Sequence, residues 1–148
     1  MAKVMGNRPH RVNLDGKSCT EVGVSDSALM PGSFVYFDAG KWVNVTTTKR
    51  PLPFVVQCED HVGGSILDPI EAGESVTGDR AEPGRVFAVL VPAGTVVKAN
   101  ETLLKMHATL PGVLDVTAGP FDDVVAMAIE DYTVPASPAT AHIKARIV

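Results

Sequence analysis

The sequence contains few aromatic residues, few cysteines and no long apolar run, and each shortage excludes a class of protein. Only 5% of the 148 residues are aromatic, and the two cysteines are Cys19 and Cys58. Two thiols at this spacing indicate neither a disulfide framework nor a zinc site, so both are expected to be reduced. No run approaches the roughly 20 apolar residues of a membrane-spanning helix, and charged residues interrupt any secretory signal near the N-terminus. A membrane partner is therefore not expected.

Catalytic motifs are also missing from the sequence. It has no glycine-rich phosphate loop, no G-x-S-x-G elbow, no H-E-x-x-H and no paired C-x-x-C motif. Three clusters of polar residues are the nearest candidates for a catalytic or metal site: Glu59-Asp60-His61, the acidic stretch of Glu71, Glu74, Asp79 and Glu82, and the pair Asp122-Asp123. The first two are better interpreted as solvated surface, and the pair as the end of a strand. Contiguous residues of an extended segment point to opposite faces and rarely converge on one metal. The sequence thus predicts no enzyme, no metal site and no cofactor.

The net charge of −4 is spread unevenly along the chain. Residues 1–20 carry +3, which leaves −7 on the remaining residues. This charge of +3 is the sum of four basic residues, Lys3, Arg8, Arg11 and Lys17, and one acidic residue, Asp15. A mildly acidic body is unsuited to nucleic acid, whose phosphates need a clustered basic face. We predict that residues 1–25 form an extended arm, which is either solvated or bound to a partner.

Short β-rich runs separated by glycine turns fill most of the chain. The breaks are Pro31-Gly32, Ala39-Gly40, Gly63-Gly64, Ala72-Gly73, Thr77-Gly78, Pro83-Gly84, Ala93-Gly94, Pro111-Gly112 and Ala118-Gly119. Glycine adopts a positive φ without steric cost, and a preceding proline presets the turn. Regular turns between short strands are typical of an all-β barrel or sandwich. We therefore predict one compact all-β domain over residues 26–148.

The same pattern predicts individual strands. Ser33–Phe37 and Trp42–Thr46 flank a short glycine-containing loop, which indicates a hairpin. Val86–Val91 is the most hydrophobic stretch and is expected to form a central strand. Further strands are predicted at Thr20–Val24, Pro53–Cys58, Thr95–Val97, Leu103–Met106, Val113–Thr117 and Val124–Ile129. Near the C-terminus, His142, Lys144 and Arg146 alternate with Ile143, Ala145 and Ile147, which is the period of a strand with one buried face.

The single tryptophan and the histidines carry no clear catalytic signal. Trp42 is expected in the core, with an anchoring role at an interface as the alternative. The four histidines, His10, His61, His107 and His142, are scattered along the chain, and each is interpreted as a surface or hydrogen-bonded residue.

From about residue 30 to residue 148, the order of the elements resembles that of the head decoration, or capsid cement, proteins of tailed bacteriophages. The matching elements are Met30-Pro31-Gly32, Pro53-Phe54-Val55-Val56 running into Glu59-Asp60, Gly63-Gly64, Ile70–Val76, Pro83-Gly84-Arg85-Val86, Ala88–Gly94, Val96–Leu103, Gly112-Val113-Leu114, Val125–Glu130 and Arg146-Ile147-Val148. The resemblance implies an all-β protein on the outer capsid surface, bound to the major capsid protein as a homodimer or homotrimer. It implies no catalysis.

Two sets of residues are the candidate contacts of such a protein. Lys3, Arg8 and Arg11 of the arm are expected to lie across a neighbouring acidic capsid subunit. Deleting residues 2–12 is accordingly expected to leave folding intact and to reduce capsid occupancy. The terminal strand, with Ile143, Ala145 and Ile147, is expected at an interface between copies, because an open barrel exposes edge strands.

Two alternative interpretations stay open at this point. Residues Ala93–Met106 look somewhat like the half-motif of a biotinyl or lipoyl carrier domain, which presents a modified lysine at a tight hairpin. Here Lys105 directly follows Leu103-Leu104, which leaves no room for a strand between the first turn and the lysine. An enzyme-associated barrel of this kind, or a small hydrolase, is one alternative, and a minor fibre or spike component of a virion is the other.

Overall fold

Twelve strands form in the part of the chain that the computed structural model describes, which is residues 8–9, 11–15, 19–45, 54–57 and 66–148. They are β1 (Thr20–Ser25), β2 (Phe34–Asp38), β3 (Lys41–Asn44), β4 (Phe54–Val56), β5 (Ser75–Arg80), β6 (Val86–Pro92), β7 (Val96–Val97), β8 (Leu103–Met106), β9 (Leu114–Thr117), β10 (Val124–Ala128), β11 (Tyr132–Thr133) and β12 (Thr140–Ile147). A short 3-10 helix covers Phe121–Asp123. The all-β prediction is confirmed. No helix of the described residues is long and apolar enough to cross a membrane.

The first five strands close into a barrel with the order β1-β3-β2-β4-β5. β2 and β3 form the predicted hairpin, in which Asp38 pairs with Lys41 across the turn. The turn residues Ala39 and Gly40 have φ of 52° and 80°, the left-handed pair that a two-residue hairpin needs. The barrel closes where β1 pairs antiparallel with β5 and parallel with β3.

Trp42 fills the interior of this barrel. Its side chain is fully buried, its Nε1 donates to the Val76 carbonyl at 2.9 Å, and its ring meets Phe54 edge-on at 5.0 Å. Gly23 and Gly78 face it from β1 and β5, where an added Cβ would lie 2.8 Å from a Trp42 ring atom in each case. The core placement of Trp42 is thus confirmed, and Gly78 is a space-making residue inside β5, not the turn that the sequence predicts.

The second sheet has the strand order β6-β12-β10-β8-β9. β12 lies inside this sheet, paired with β6 on one side and with β10 on the other. β6 is the first strand in the order, so it is an edge strand of this sheet, and the prediction of a central strand is wrong. Both faces of β6 are nevertheless buried. The small third sheet pairs β11 with β7.

The barrel and the second sheet share one hydrophobic core. Alternate residues of β2 point opposite ways, so Val35 packs inside the barrel with Trp42 while Phe34 packs outward against the second sheet. The shared core includes Phe34, Val45 and Val55 from the barrel side and Phe87, Leu104 and Ile143 from the sheet side. The barrel therefore supplies one wall of the shared core, while a second cluster around Trp42 fills the barrel itself.

The predicted boundary of the arm at residue 25 is wrong. Residues 20–25 form β1, which is a wall of the closed barrel. Val12, further upstream, is 1% exposed and belongs to the shared core. Apolar burial thus extends well into the segment whose basic composition suggests a free arm.

Candidate functional site

Residues 8–9 and 11–15, here called the N-terminal strap, lie against the second sheet. Asn13 forms an antiparallel bridge with Phe87, and two backbone hydrogen bonds flank it: Ala88 N–H donates to Val12 O at 2.8 Å and Leu14 N–H donates to Val86 O at 3.1 Å. This pairing covers residues 86–88 of β6 on the side that β12 leaves open. Covering an edge strand removes a template for unwanted pairing with other chains.

Arg8 fixes one end of the strap through charge-assisted contacts. Its guanidinium donates to both carboxylate oxygens of Glu130, at 2.8 and 2.7 Å, and to the carbonyl of His142 at 3.2 Å. It also lies over the Tyr132 ring, 3.6 Å from the ring centre. Glu130 in turn accepts from the Lys144 N–H at 2.8 Å. The charge of Arg8 is thus paired within the chain, and its contact with a capsid subunit stays a prediction.

Arg85 fixes the other end of the strap. Its Nε donates to Asp15 Oδ2 at 3.1 Å, and the same oxygen accepts from the Val86 N–H at 3.0 Å. Arg85 also lies 3.7 Å from the carboxylate of Asp79, which is fully buried and accepts from Asn13 Nδ2 at 2.6 Å. Buried charges of this kind persist only when paired and hydrogen-bonded. The cluster therefore has a structural role, joining the strap to β5 and β6.

An apolar groove of about 320 Å³ lies beside the Arg8–Glu130 pair. Its walls include Pro9 of the strap, Leu67, Tyr132, Pro135, Pro138 and His142. Small-molecule ligands of proteins usually bind in pockets of about this size, with mostly apolar walls and a few polar groups. No motif of the sequence predicts this groove, and the local signal nearest to it is the pair of prolines that follows Tyr132, Pro135 and Pro138.

His142 joins the wall of the groove to the barrel. Its Nε2 lies 2.7 Å from the Pro31 carbonyl, so this nitrogen carries the proton and donates it. Position 32 requires glycine, because its φ is 92° and an added Cβ would lie 2.9 Å from the Ala88 carbonyl oxygen and 3.0 Å from the His142 imidazole. The interpretation of His142 as a hydrogen-bonded histidine is confirmed.

Acidification is expected to destabilise the protein through His142. Burial lowers its pKa below the ordinary value of 6.5, and the Arg8 guanidinium adds to this, while the hydrogen bond to Pro31 opposes it. The unfolded chain thus binds a proton at a pH where the folded chain does not, so the free energy of unfolding falls as the pH drops below 6.5. Urea unfolding at a series of pH values measures this slope. His142→Gln should flatten it, and an equal slope in both proteins would contradict the assignment to His142.

The other predicted contact residues lie apart from the groove. Lys3 is outside the described residues, and Arg11 is exposed on the strap. Ile143, Ala145 and Ile147 are at most 6% exposed, and they lie in the shared core. Because these three side chains are buried in the core of one chain, a second copy cannot contact them, and their assignment to an oligomer interface is corrected.

The remaining candidate groups do not assemble into a site within the described structure. Lys105 lies in β8, paired with Asp115 of β9 and Val124 of β10, and is not at the hairpin tip that a carrier domain needs. Asp79 of the acidic stretch belongs to the Arg85 cluster, while Glu71, Glu74 and Glu82 are exposed. Cys58 and Glu59-Asp60-His61 fall outside the described residues. Among the residues described, no three His, Cys, Asp or Glu side chains are placed to hold a metal ion.

The groove is the described feature best suited to binding another molecule. Arg8 and Arg85 are engaged in internal contacts, whereas the groove offers an apolar surface beside the second sheet. Neither a protein-family model nor a curated protein matches this chain.

Proposed function

We propose that this chain is a structural protein of a tailed-phage virion, which binds the outer capsid surface and cements neighbouring major-capsid subunits. The observation that carries the proposal is the order of elements from Met30-Pro31-Gly32 to Arg146-Ile147-Val148, which resembles that of capsid decoration proteins. The all-β fold supports it, since that resemblance implies an all-β protein. A shared fold does not by itself assign a function, so binding of the protein to capsids is the quantity to measure.

The construction of the two sheets suits a cementing role. The barrel is closed, and the strap covers the start of β6, so these parts of the protein offer side-chain surfaces and not strand edges to a partner. A scaffold tied together by a shared core loses little conformational entropy on docking, so more of the contact energy is retained as affinity. Repetition over a capsid lattice then multiplies weak individual contacts.

The direct test mixes the purified protein with undecorated capsids and measures the bound copies per particle. Saturation at a number that matches the capsid lattice supports the proposal. Saturation at a few copies per particle supports the alternative of a minor fibre or spike component. Absence of any binding overturns the proposal.

A charge variant of the N-terminal segment is expected to lower capsid occupancy. Lys3→Ala/Arg11→Ala removes the two basic residues that remain candidates after Arg8 is assigned to Glu130, and the loss should be larger at low salt because exposed charges are screened. The matched control is Lys41→Ala/Lys98→Ala, which removes two charges from exposed ion pairs that contribute little stability. Equal occupancy of the two variants would show that the N-terminal charges do not contact the capsid.

Deleting residues 2–12 is no longer a suitable test of the same idea. The deletion removes Val12 from the shared core and Arg8 from Glu130, so it also weakens folding. The homodimer or homotrimer stays a prediction. Light scattering of the purified protein measures its mass in solution and tests this prediction whichever surface forms the interface.

A further inference from the structure

The outer side of the second sheet carries a group of residues that is here called the cationic face. Alternate residues of β8, β10 and β12 point into the shared core, so the residues between them point away from it. The outward residues include Lys105, Lys144 and Arg146, none of which is fully buried. Arg146 pairs with Met127, and Met127 pairs with Leu103, so the cations flank a partly exposed apolar strip across the three strands.

The three cations of this face form no ion pair within the part of the chain that the structure describes. Lys105 lies opposite Asp115 of β9, but the Asp115 carboxylate accepts from the Val116 N–H at 2.9 Å and is not within ion-pair distance of the lysine. Strands β8, β9, β10 and β12 contain no other acidic residue. The cationic face is therefore a positive surface on a chain whose net charge is −4.

One end of the barrel carries the opposite charge and is here called the acidic end. Three segments meet there, because Asp26 N–H donates to Trp42 O at 3.0 Å and Ser25 N–H donates to Glu74 O at 2.9 Å. These contacts join the end of β1 to the β2–β3 hairpin and to the turn before β5. The exposed charged residues of the three segments are the acidic Asp26, Asp38, Glu71 and Glu74 and the basic Lys41.

An aromatic residue is exposed beside these carboxylates. Phe37 directly precedes Asp38 and packs against Trp42, with the ring centres 4.7 Å apart, yet Phe37 stays 43% exposed. Aromatic residues and methionines are enriched at protein interfaces relative to the rest of the surface. Met127 is the methionine of the cationic face, so the two surfaces are complementary in charge and both offer an apolar contact.

We propose that the acidic end of one copy of this chain binds the cationic face of a second copy. The two surfaces lie on different sheets, and neither can bind the same surface of another copy without like-charge repulsion. Every copy, however, carries the surface that complements the other. In the complex the carboxylates face the cations, and Phe37 packs on the strip of Leu103 and Met127. Self-association is implied by the resemblance behind the proposed function, whereas the choice of these two surfaces rests on their charges.

Charge reversal of either surface tests the proposal in solution. Lys105→Glu/Arg146→Glu and Asp38→Lys/Glu71→Lys should each weaken self-association by about tenfold or more, because like charges then face each other. Sedimentation equilibrium measures the association constant, and circular dichroism checks that each variant is folded. Association of the wild type should also weaken as salt is raised, because salt screens exposed charges. A monomeric wild type, or association that salt leaves unchanged, overturns the proposal.

Mixing the two reversed variants provides the rescue. One variant then has two negative surfaces and the other has two positive ones, so the mixture should associate although neither variant does so alone. The matched control is Glu21→Lys/Glu101→Lys, which makes the same change in net charge at exposed residues outside both surfaces. This control should associate like the wild type. A mixture that stays monomeric, or a control as weak as Asp38→Lys/Glu71→Lys, overturns the proposal.

Capsid binding is a separate measurement with the same proteins. A chain that decorates capsids but stays monomeric in solution overturns this inference and leaves the proposed function in place. An oligomer that follows the charge reversals but does not bind capsids overturns the proposed function alone. The two failures are therefore distinguishable.

Discussion

Replacing Arg85 with methionine is expected to lower the free energy of unfolding by about 3–5 kcal/mol, as is typical when one partner of a buried ion pair is removed. Arg85 lies between Asp15 and Asp79, and the Asp79 side chain is fully buried. Methionine keeps much of the apolar stem but leaves the Asp79 carboxylate without its cation. The strap also loses one of its links, because Asp15 is then held by the Val86 N–H alone and no longer by Arg85.

Glu82→Gln is the matched control for this prediction. Glu82 also lies 3.7 Å from Arg85, but its side chain is 49% exposed. Exposed pairs contribute about 0–1 kcal/mol, so this variant should unfold close to the wild type in urea. The double variant Arg85→Met/Asp79→Asn should lose less than the two single losses added together, since both act on one network. A loss for Arg85→Met no larger than that of Glu82→Gln would contradict the structural role of the cluster.

Replacing Trp42 with alanine is expected to cost a similar amount, about 3–5 kcal/mol, because a large buried aromatic leaves a cavity behind. The positions that face the indole from β1 and β5 offer nothing to fill that cavity. Gly23 and Gly78 face the indole and have no side chains that could move inward. Trp42→Phe keeps part of the volume and removes the hydrogen bond to Val76, so its loss should be intermediate.

The glycine at position 78 provides a sharper test of the same packing. In the wild type, Gly78→Ala brings a Cβ to 2.8 Å from Trp42 Cζ2, and overpacking of this kind costs about 1–3 kcal/mol. In the Trp42→Ala background the added methyl enters the cavity and should be neutral or stabilising. Urea unfolding followed by circular dichroism measures the free energy of unfolding in both backgrounds, and it does not depend on tryptophan fluorescence. An equal cost in the two backgrounds would contradict the packing of Trp42 against β5.

Local signals in the sequence are sufficient for most of the turns and strands of the described residues. The hairpin around Ala39-Gly40 depends on its own residues, and the structure places it where the sequence predicts it. Gly78 has the same local appearance as a turn glycine, yet it lies in β5 opposite Trp42. The difference is set by a residue 36 positions away, so a window of neighbouring residues cannot reveal it.

The candidate site depends even more on distant partners. The alternation of His142–Ile147 predicts a strand and its buried face, but only the pairing with β6 and β10 places Ile143 in the core. Arg8 looks like a solvated cation in sequence because its partner, Glu130, is 122 residues away. The groove is assembled from the strap, Leu67 and the segment after β11, so no single stretch of sequence contains it.

The strap has a consequence for the order of folding. Arg8 and Val12 leave the ribosome long before Glu130, the partner that is 122 residues further along the chain, has been made. Contacts of such long sequence separation form slowly, because the chain must close a large loop first. Until the strap docks, the outer side of β6 is an unpaired strand edge, which is the kind of surface that promotes aggregation in partly folded chains. At high expression levels, strap variants should therefore give a lower yield of soluble protein, even where the free energy of unfolding of the purified variant is close to that of the wild type.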